Sequence, residues 1–266
     1  MTHGLPGFFV VTDGLDGAGK GAVIKAIRAY LASLDLRIFD LDHYGEVQHR
    51  LPDFSNPRFK GVANPAYFPM DEFDAIISSE PTYAGIGQII REEIINRKNG
   101  RSYSARVTAA AYALDRLVLY NRVIIPALKA GKIIVQSRSV STSLTYQVVQ
   151  GEERKEPLDL DEIMSLEGNG LALKHAPDCL IIPTVYDFDA LQKRLSERDK
   201  NDEAIFEDPE FQKKLKPHYE GEAFKHIFTS RGTRLEYLDA GISEKHTGQE
   251  AVRIFKEVMG DRVIAK

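Results

Sequence analysis

The 266-residue chain contains very little cysteine, since Cys179 is the only one. A single thiol excludes an intramolecular disulfide and a zinc site built from several cysteines. The residues that follow it, Leu-Ile-Ile-Pro, are apolar and favour a buried thiol in a strand over a catalytic thiol. We therefore do not expect cysteine chemistry in this protein.

Long apolar runs and an excess of positive charge are also missing. No stretch approaches the roughly 18 apolar residues of a membrane-spanning helix, and we find no signal peptide. The net charge of -4 and the pI of about 6.0 give no electrostatic argument for binding nucleic acid or an anionic membrane. We therefore expect a cytoplasmic protein. Its partners should be small molecules, because a few local basic residues suffice to bind a phosphorylated metabolite.

A glycine-rich segment, Phe8 to Gly21, reads FFVVTDGLDGAGKG and carries the strongest signal. A strand-like apolar run leads into Gly14, four residues, Gly19 and Lys20, and a helix-like segment follows. This is the layout of a phosphate-binding P-loop, in which backbone N–H groups and the helix N-terminus face the phosphates. The alternative is a glycine-rich turn without a ligand. The residues expected to bind the donor phosphates are Gly14, Asp16, Gly17, Ala18, Gly19, Lys20 and Gly21.

Short apolar runs alternate with helical patterns along the chain. The predicted strands are 8–12, 37–41, 132–137, 178–184 and 234–240, and the predicted helices are 20–34, 84–97, 104–130, 187–198, 209–227 and 246–259. This alternation predicts an α/β protein with a mostly parallel sheet and helices on both faces. We expect a single domain over residues 1–266. Its ligands should bind at the carboxyl ends of the strands, where the P-loop lies.

Three segments lack these patterns. Residues 43–75 combine prolines, aromatic residues and charges of both signs without sustained periodicity, which predicts an ordered, irregular excursion near the site. Residues 151–161 predict a surface loop. Residues 199–208 are polar and acidic between two helices and, with the end of the preceding helix, form a candidate lid over about 193–208.

Four further groups of polar residues occur along the chain, and each has a simple structural interpretation when taken alone. Arg116 beside Asp115 fits a solvated helix face, Arg138 a structural ion pair and Tyr112 core packing. Glu80 before a proline fits the end of a strand. The four groups are Ser79-Glu80-Pro81-Thr82 with Arg91, Tyr112 to Arg116, Ser137-Arg138-Ser139 continuing to Ser143, Tyr146 and Gln147, and Lys193, Arg194 and Arg198 in one helix.

Together and in this order, these segments resemble the thymidylate kinase family over most of the chain, from Phe8 to about Met259. The matching pieces are DGLDGAGK, EPT, IRE, YALDR, PALKAGKIIVQSR, SLTYQ, PDCLIIPTV and EYLDA. The resemblance implies a three-layer P-loop NTPase fold with a small lid. It also implies ATP-dependent phosphorylation of a nucleoside monophosphate, most simply dTMP, with Mg²⁺, by a homodimer.

The resemblance also assigns roles to individual residues. These are Tyr112 for stacking on thymine, Arg116, Ser143 and Gln147 for the edges of the base, Arg91 and Arg138 for the acceptor phosphate, and Glu80 and Asp16 near the sugar 3′-hydroxyl. Tyr146 is a further expected substrate-binding residue. Aromatic faces suit bases, and guanidinium groups suit phosphate. Phosphoryl transfer depends on positioning and charge neutralisation, so no general base is expected. The expected catalytic residues are Lys20, Arg138, Arg194 and Arg198.

The departures from the family lie on the donor and metal side. Gly21 replaces the Ser or Thr whose hydroxyl normally binds Mg²⁺, and Ser137 replaces an aspartate. The lid has Glu203 where the family commonly has an arginine. Mg²⁺ is then expected to be held by the phosphates, water and Asp13 or Asp16.

Two other functions stay open. The Ser-Arg-Ser sequence at 137–139 is reminiscent of the Glu-Arg-Ser of deoxynucleoside kinases, so the acceptor could be a deoxynucleoside or another nucleoside monophosphate. The loss of two metal-side groups is also compatible with a nucleotide-binding protein that has lost catalysis.

Overall fold

The computed structural model describes residues 2–55, 70–196, 205–206 and 208–260. In these residues six strands form one parallel sheet with the order β2-β3-β4-β1-β5-β6. The strands are β1 (Phe8–Thr12), β2 (Ile38–Asp40), β3 (Ala75–Ser79), β4 (Ile133–Ser137), β5 (Cys179–Thr184) and β6 (Arg234–Asp239). The predicted α/β architecture with a parallel sheet is confirmed.

The helices are named in chain order. They are α1 (Lys20–Ser33), α2 (Leu41–Gln48), α3 (Ile86–Ile89), α4 (Ala105–Leu119), α5 (Ile125–Lys129), α6 (Val140–Thr142), α7 (Val148–Glu153), α8 (Leu160–Ser165), α9 (Glu167–Lys174), α10 (Phe188–Ser196), α11 (Pro209–Glu220), α12 (Glu222–Thr229) and α13 (Glu244–Met259). Turns of π-helix occupy Ile90–Ile94, Tyr120–Ile124 and Ser143–Gln147, and short 3-10 turns occupy Met70–Glu72 and Arg97–Asn99. Within the part of the chain that is described, no helix has the length and apolar character to cross a membrane.

Alternate residues of a strand point to opposite faces of the sheet. Both sets are apolar in this sheet, so helices cover both faces. On one face Val10 and Ile181 pack with Ile27 of α1 and Phe255 of α13. On the other face Phe9 belongs to a larger core to which helices α4 to α12 contribute. Full burial of each such side chain contributes about 1.5–3 kcal/mol relative to leaving it exposed.

The strand register brings three carboxyl ends of the sheet to one level. Thr12 at the end of β1 pairs with Ser137 at the end of β4, and Ser137 pairs with Ser79 at the end of β3. The residues that follow these ends, among them Glu80 and Arg138, are therefore neighbours in space although they are far apart in sequence. This edge of the sheet also carries the glycine-rich loop.

Several elements differ from the sequence-based expectations. Strand β3 was not predicted, and the excursion predicted at 43–75 begins inside helix α2, whose first turn is capped by Asp40. The helix expected at 209–227 is two helices that meet at Gly221, a residue with extended backbone. The loop expected at 151–161 is shortened by α7 and α8. Residues 56–69, 197–204 and 207, and with them Arg198, Glu203 and most of the expected lid, lie outside the described residues.

Candidate active site

The glycine-rich loop joins β1 to α1 with the backbone geometry of a tight cradle. Gly14, Gly17 and Gly19 have φ values of 129°, 77° and 106°, a region that residues with a Cβ rarely adopt. The ammonium of Lys20 donates to the carbonyls of Gly14 at 3.0 Å and Leu15 at 2.7 Å. The loop thus curls around a cation at the positive N-terminal end of a 14-residue helix, which is a site suited to phosphate.

A cavity of about 360 Å³ opens beside this loop, on the side of β6 and α13. Arg194 of α10 lies across it and donates to the carbonyls of Ala240 at 2.8 Å and Gly241 at 3.3 Å. The lid arginine expected to act on the transferred phosphoryl group is therefore held against the loop after β6. The cavity is lined by Gly17, Gly19, Gly21, Ala22, Arg194, Ala240, Glu244 and Thr247.

Asp16 lies where four polar side chains meet. Its Oδ1 contacts the Arg138 guanidinium and lies 3.5 Å from the Lys20 ammonium. Its Oδ2 accepts from the hydroxyl of Tyr146 at 3.1 Å and from the amide of Gln212 at 3.2 Å. The structure therefore brings together four residues that the sequence placed at the site, Asp16, Lys20, Arg138 and Tyr146, and adds Gln212.

Asp13 is fully buried at the end of β1 and is held by hydrogen bonds on both oxygens. Oδ1 accepts from the backbone N–H of Gly14 at 2.7 Å and from the hydroxyl of Tyr219 at 3.0 Å. Oδ2 accepts from the hydroxyls of Ser141 and Thr142. This carboxylate fixes the start of the loop, and its lone pairs are directed at protein donors.

The side chains present do not fit a protein-held Mg²⁺. Asp13 and Asp16 are both engaged as described above, and Gly21 supplies no hydroxyl. Among the residues that the structure describes, no group of three or more His, Cys, Asp or Glu side chains is arranged to hold a metal. The expectation that Asp13 or Asp16 helps to hold Mg²⁺ stays a prediction, and either carboxylate would have to exchange a protein donor for the ion.

The missing hydroxyl at position 21 can be tested, because a Cβ built on Gly21 meets no described atom within 4 Å. We expect Gly21→Thr, alone or with Ser137→Asp, to raise kcat at low Mg²⁺ concentration, since a hydroxyl on the metal acts on charge in the transition state. Steady-state rates over a Mg²⁺ series would measure the effect. Gly21→Val is the matched control, because Val has the size and the β-branched shape of Thr without the hydroxyl. A fast wild-type enzyme that saturates at ordinary Mg²⁺ would refute the idea.

Glu80 and Arg116 form a buried ion pair on the other side of the site. Nε of Arg116 donates to Oε2 of Glu80 at 2.8 Å, and Nη2 lies 2.5 Å from the same oxygen. Arg116 has no exposed surface and Glu80 is 3% exposed. Nη1 of Arg116 donates to Ser143 at 3.1 Å and to Asn169, and Gln136 donates to the second oxygen of Glu80 at 3.0 Å. Glu80 is thus engaged with Arg116, and its expected position near the acceptor sugar stays a prediction.

Burial raises the pKa of Glu80 to about 7, although the ion pair with Arg116 opposes the rise. Because the folded pKa lies above the unfolded one of about 4.5, this contribution to stability is complete below pH 4.5 and is lost as the pH rises through 7. We expect the free energy of unfolding to fall by up to about 1.4 kcal/mol per pH unit in this window. Glu80→Gln should lack this slope.

Denaturant titrations of the wild type and of Glu80→Gln at several pH values would measure the difference between their slopes. Because Glu80→Gln resembles the protonated acid, its stability should be close to that of the wild type below pH 4.5 and should exceed it as the pH rises through 7. Glu222→Gln, at a side chain that is 90% exposed, serves as the control. Parallel curves for the wild type and Glu80→Gln would show that Glu80 is ionised throughout the window.

The turn after β3 is fixed from both sides. Arg91 donates to the carbonyls of Pro81 at 2.5 Å and Thr82 at 3.3 Å, and its guanidinium lies 3.8 Å above the ring of Tyr83. The buried carboxylate of Asp115 accepts from the backbone N–H and the hydroxyl of Thr82, both at 2.8 Å. Arg91 therefore lies at the Glu-Pro-Thr turn, next to Glu80, where an acceptor phosphate was expected.

Two further residues expected to contact the acceptor base, Tyr112 and Gln147, are buried. Tyr112 is 6% exposed, burial raises its pKa to about 12, and the charges of Arg138 and Arg91 partly offset that rise. Gln147 lies on the same π-helical turn as Ser143 and is fully buried. Both its amide oxygen and its amide nitrogen lack a hydrogen-bond partner among the described residues. A buried amide of this kind is rare in proteins and indicates a missing ligand or water.

Sequence reasoning missed several polar residues that build the site, including Ser141 and Thr142. Gln136 was a lone polar residue in an apolar strand, and Gln212 and Tyr219 occupy the buried face of α11 with Leu215. A polar residue on an otherwise apolar stripe was the available signal. Asn169, in the Gly-Asn-Gly of α9, gave no such signal.

The comparisons with known proteins agree with this geometry. A family model described as thymidylate kinase matches residues 67–237. A probable thymidylate kinase of Thermococcus onnurineus is 30% identical over 179 residues, which cover 65% of this chain and 64% of that protein. A thymidylate kinase of Clostridium novyi is 24% identical over 257 residues, which cover 96% and 97% of the two chains.

Other matches are shorter or more distant. A probable thymidylate kinase of Pyrococcus abyssi is 26% identical over 147 residues, and this chain spans only 54% of its length. The solved thymidylate kinase of Candida albicans superposes with a TM-score of 0.55 at 17% identity, covers 94% of this chain and 92% of that one, and so shows the fold. Because the family model spans well over half of its residues, the chain belongs to the thymidylate kinase family.

Proposed function

We propose that this protein transfers the γ-phosphoryl group of ATP to dTMP and forms dTDP. The observation that carries the proposal is the buried polar group of Arg116, Ser143 and Gln147, in which the Gln147 amide has neither a donor nor an acceptor partner among the described residues. An amide offers one acceptor and two donors, which complement the N3–H and carbonyl groups of thymine. A site of this type discriminates strongly against a base that cannot make these hydrogen bonds.

The remaining geometry supports a phosphoryl-transfer site. The glycine-rich loop and Lys20 would hold the donor phosphates, while Arg138 follows β4 and Arg91 reaches the turn after β3 from the π-helical turn Ile90–Ile94. Asp16 contacts both Lys20 and Arg138 and so keeps the donor-side and acceptor-side cations in fixed relation. Because the reaction depends on positioning and charge neutralisation, no residue needs to act as a general base.

Other parts of the proposal rest on the family resemblance. They are a single P-loop kinase domain over residues 1–266, Mg²⁺ as a cofactor carried with ATP, a homodimer and a cytoplasmic location. Arg194 and Arg198 are proposed to act with the lid, Arg198 lying outside the described residues.

The test is a screen of the purified protein with ATP against the nucleoside monophosphates and the deoxynucleosides, with and without Mg²⁺. ADP formation and the mass of the product would be measured. We expect dTMP to give the highest kcat/KM, and Gln147→Leu to weaken dTMP much more than ATP. Turnover of thymidine instead of dTMP would assign the acceptor to the deoxynucleosides, and nucleotide binding without any turnover would show a protein that has lost catalysis.

A further inference from the structure

Gln212 of α11 makes more contacts with the site than any role assigned so far explains. It is fully buried, and its Oε1 accepts from the backbone N–H of Asp16 at 2.8 Å. Its Nε2 donates to Oδ2 of Asp16 at 3.2 Å and to the carbonyl of Phe206 at 2.8 Å, and lies 3.5 Å from the Tyr146 hydroxyl. One acceptor and two donor contacts fix the orientation of the amide.

These contacts join two parts of the molecule. Asp16 belongs to the glycine-rich loop and touches Lys20 and Arg138, the two cations that the proposed function assigns to the donor and acceptor phosphates. Phe206 belongs to the chain between α10 and α11, and its ring packs on Tyr146 at a centroid distance of 5.5 Å. The amide of Gln212 therefore connects the chain that enters α11 to the carboxylate that orders both cations.

We infer that Gln212 is a positioning residue for phosphoryl transfer, acting through Asp16. It holds the backbone and the side chain of Asp16 at the same time, so that the carboxylate keeps Lys20 and Arg138 at one separation. A small misplacement of charged groups in a transfer site lowers the rate strongly. Because Gln212 binds both Phe206 and Asp16, a shift of the chain at Phe206 would displace Asp16 in the P-loop and lower the rate. This inference rests on the proposed function.

Two substitutions test it. Gln212→Leu keeps the approximate size and removes the amide, and we expect kcat to fall between about 10- and 100-fold. Gln212→Glu keeps an acceptor for the Asp16 N–H but places a carboxylate against Oδ2 of Asp16. Like charges at this distance raise the pKa of the pair, so the variant should regain activity at lower pH, where a protonated Glu donates as the amide does.

The readout is the ratio of kcat for Gln212→Glu to kcat for the wild type between about pH 8 and pH 6. The cations Lys20 and Arg138 oppose the rise in pKa, and Tyr146 stays a neutral donor. The test therefore depends on whether the ratio rises or falls with pH, not on the pH at which it changes. We expect the ratio to rise as the pH falls. Gln249→Glu, on the exposed face of α13, is the matched control and should give a constant ratio.

If Gln212 had only a structural role, both variants would be less stable, but the ratio of kcat for folded Gln212→Glu to kcat for the wild type would not depend on pH. The inference is overturned if Gln212→Leu has wild-type kcat, or if the Gln212→Glu ratio is flat while circular dichroism shows a folded protein. If the wild type phosphorylates no acceptor, the proposed function fails, and dTMP affinity by calorimetry then replaces kcat. The same recovery of affinity at low pH in Gln212→Glu would support the contact between position 212 and Asp16, and a flat affinity ratio would overturn it.

Discussion

Lys20→Ala is expected to lower kcat by about 10³-fold or more, because a cation on the transferred phosphates stabilises charge that develops in the transition state. The fold should persist, since the side chain lies at the mouth of the loop and contacts the Gly14 and Leu15 carbonyls, not an apolar core. Steady-state kinetics and thermal unfolding of the same preparation would measure both effects.

Lys25→Ala is the matched control for this substitution. Lys25 lies on the same helix, one and a half turns further on, and its side chain is 79% exposed in an ion pair with Glu244. Exposed pairs of this kind contribute between about 0 and 1 kcal/mol, so the control should have wild-type activity. A folded Lys20→Ala protein with wild-type turnover would show that the glycine-rich loop is not the donor site.

Arg116→Ala is expected to lower the free energy of unfolding by about 3–5 kcal/mol, because it breaks the buried hydrogen bonds of the guanidinium and leaves the Glu80 carboxyl without its partner. It should also abolish measurable dTMP binding, since the guanidinium donates to Ser143 in the proposed acceptor site. Taken alone, Arg116 fitted a solvated helix face, and its complete burial is the reason that stability should fall together with binding. Chemical denaturation and calorimetric titration with dTMP measure the two effects.

The double substitution Arg116→Met with Glu80→Gln separates these contributions. Removing both charges of a buried pair is often neutral for stability, so the double variant should recover most of the lost stability. If Arg116 also contacts the base, dTMP affinity stays low in this variant. Arg106→Ala, at an exposed position of the same helix, is the control. Full recovery of dTMP affinity in the double variant would reduce Arg116 to a structural residue.

The sequence was informative where local patterns decide the structure. The glycine spacing from Gly14 to Lys20 predicted the loop, because backbone conformation there depends on residues without a Cβ. Five of the six strands were predicted from their apolar runs. Strand β3 was missed because AIISS is short, turns polar at its end and follows a segment without periodicity.

Contacts between distant segments could not be predicted from local patterns. The engagement of Glu80 with Arg116, and of Asp16 with Gln212, joins residues 36 and 196 positions apart. Their register depends on how the helices pack on the sheet, which no single window of the sequence contains. The family resemblance named most of the side chains, but it did not show which of them bind one another in this chain.

Cys179 gives this chain a built-in reporter of opening. Cys179 is the first residue of β5, the strand between β1 and β6. It has no exposed surface, and burial raises the pKa of its thiol to about 12. An alkylating reagent reacts with the thiolate, so at neutral pH the native protein should be labelled only when this part of the sheet separates. The labelling rate, compared with that of the unfolded chain, would give the free energy of that opening. Repeating the measurement with a nucleotide bound would show by how much binding raises the free energy of opening at the centre of the sheet.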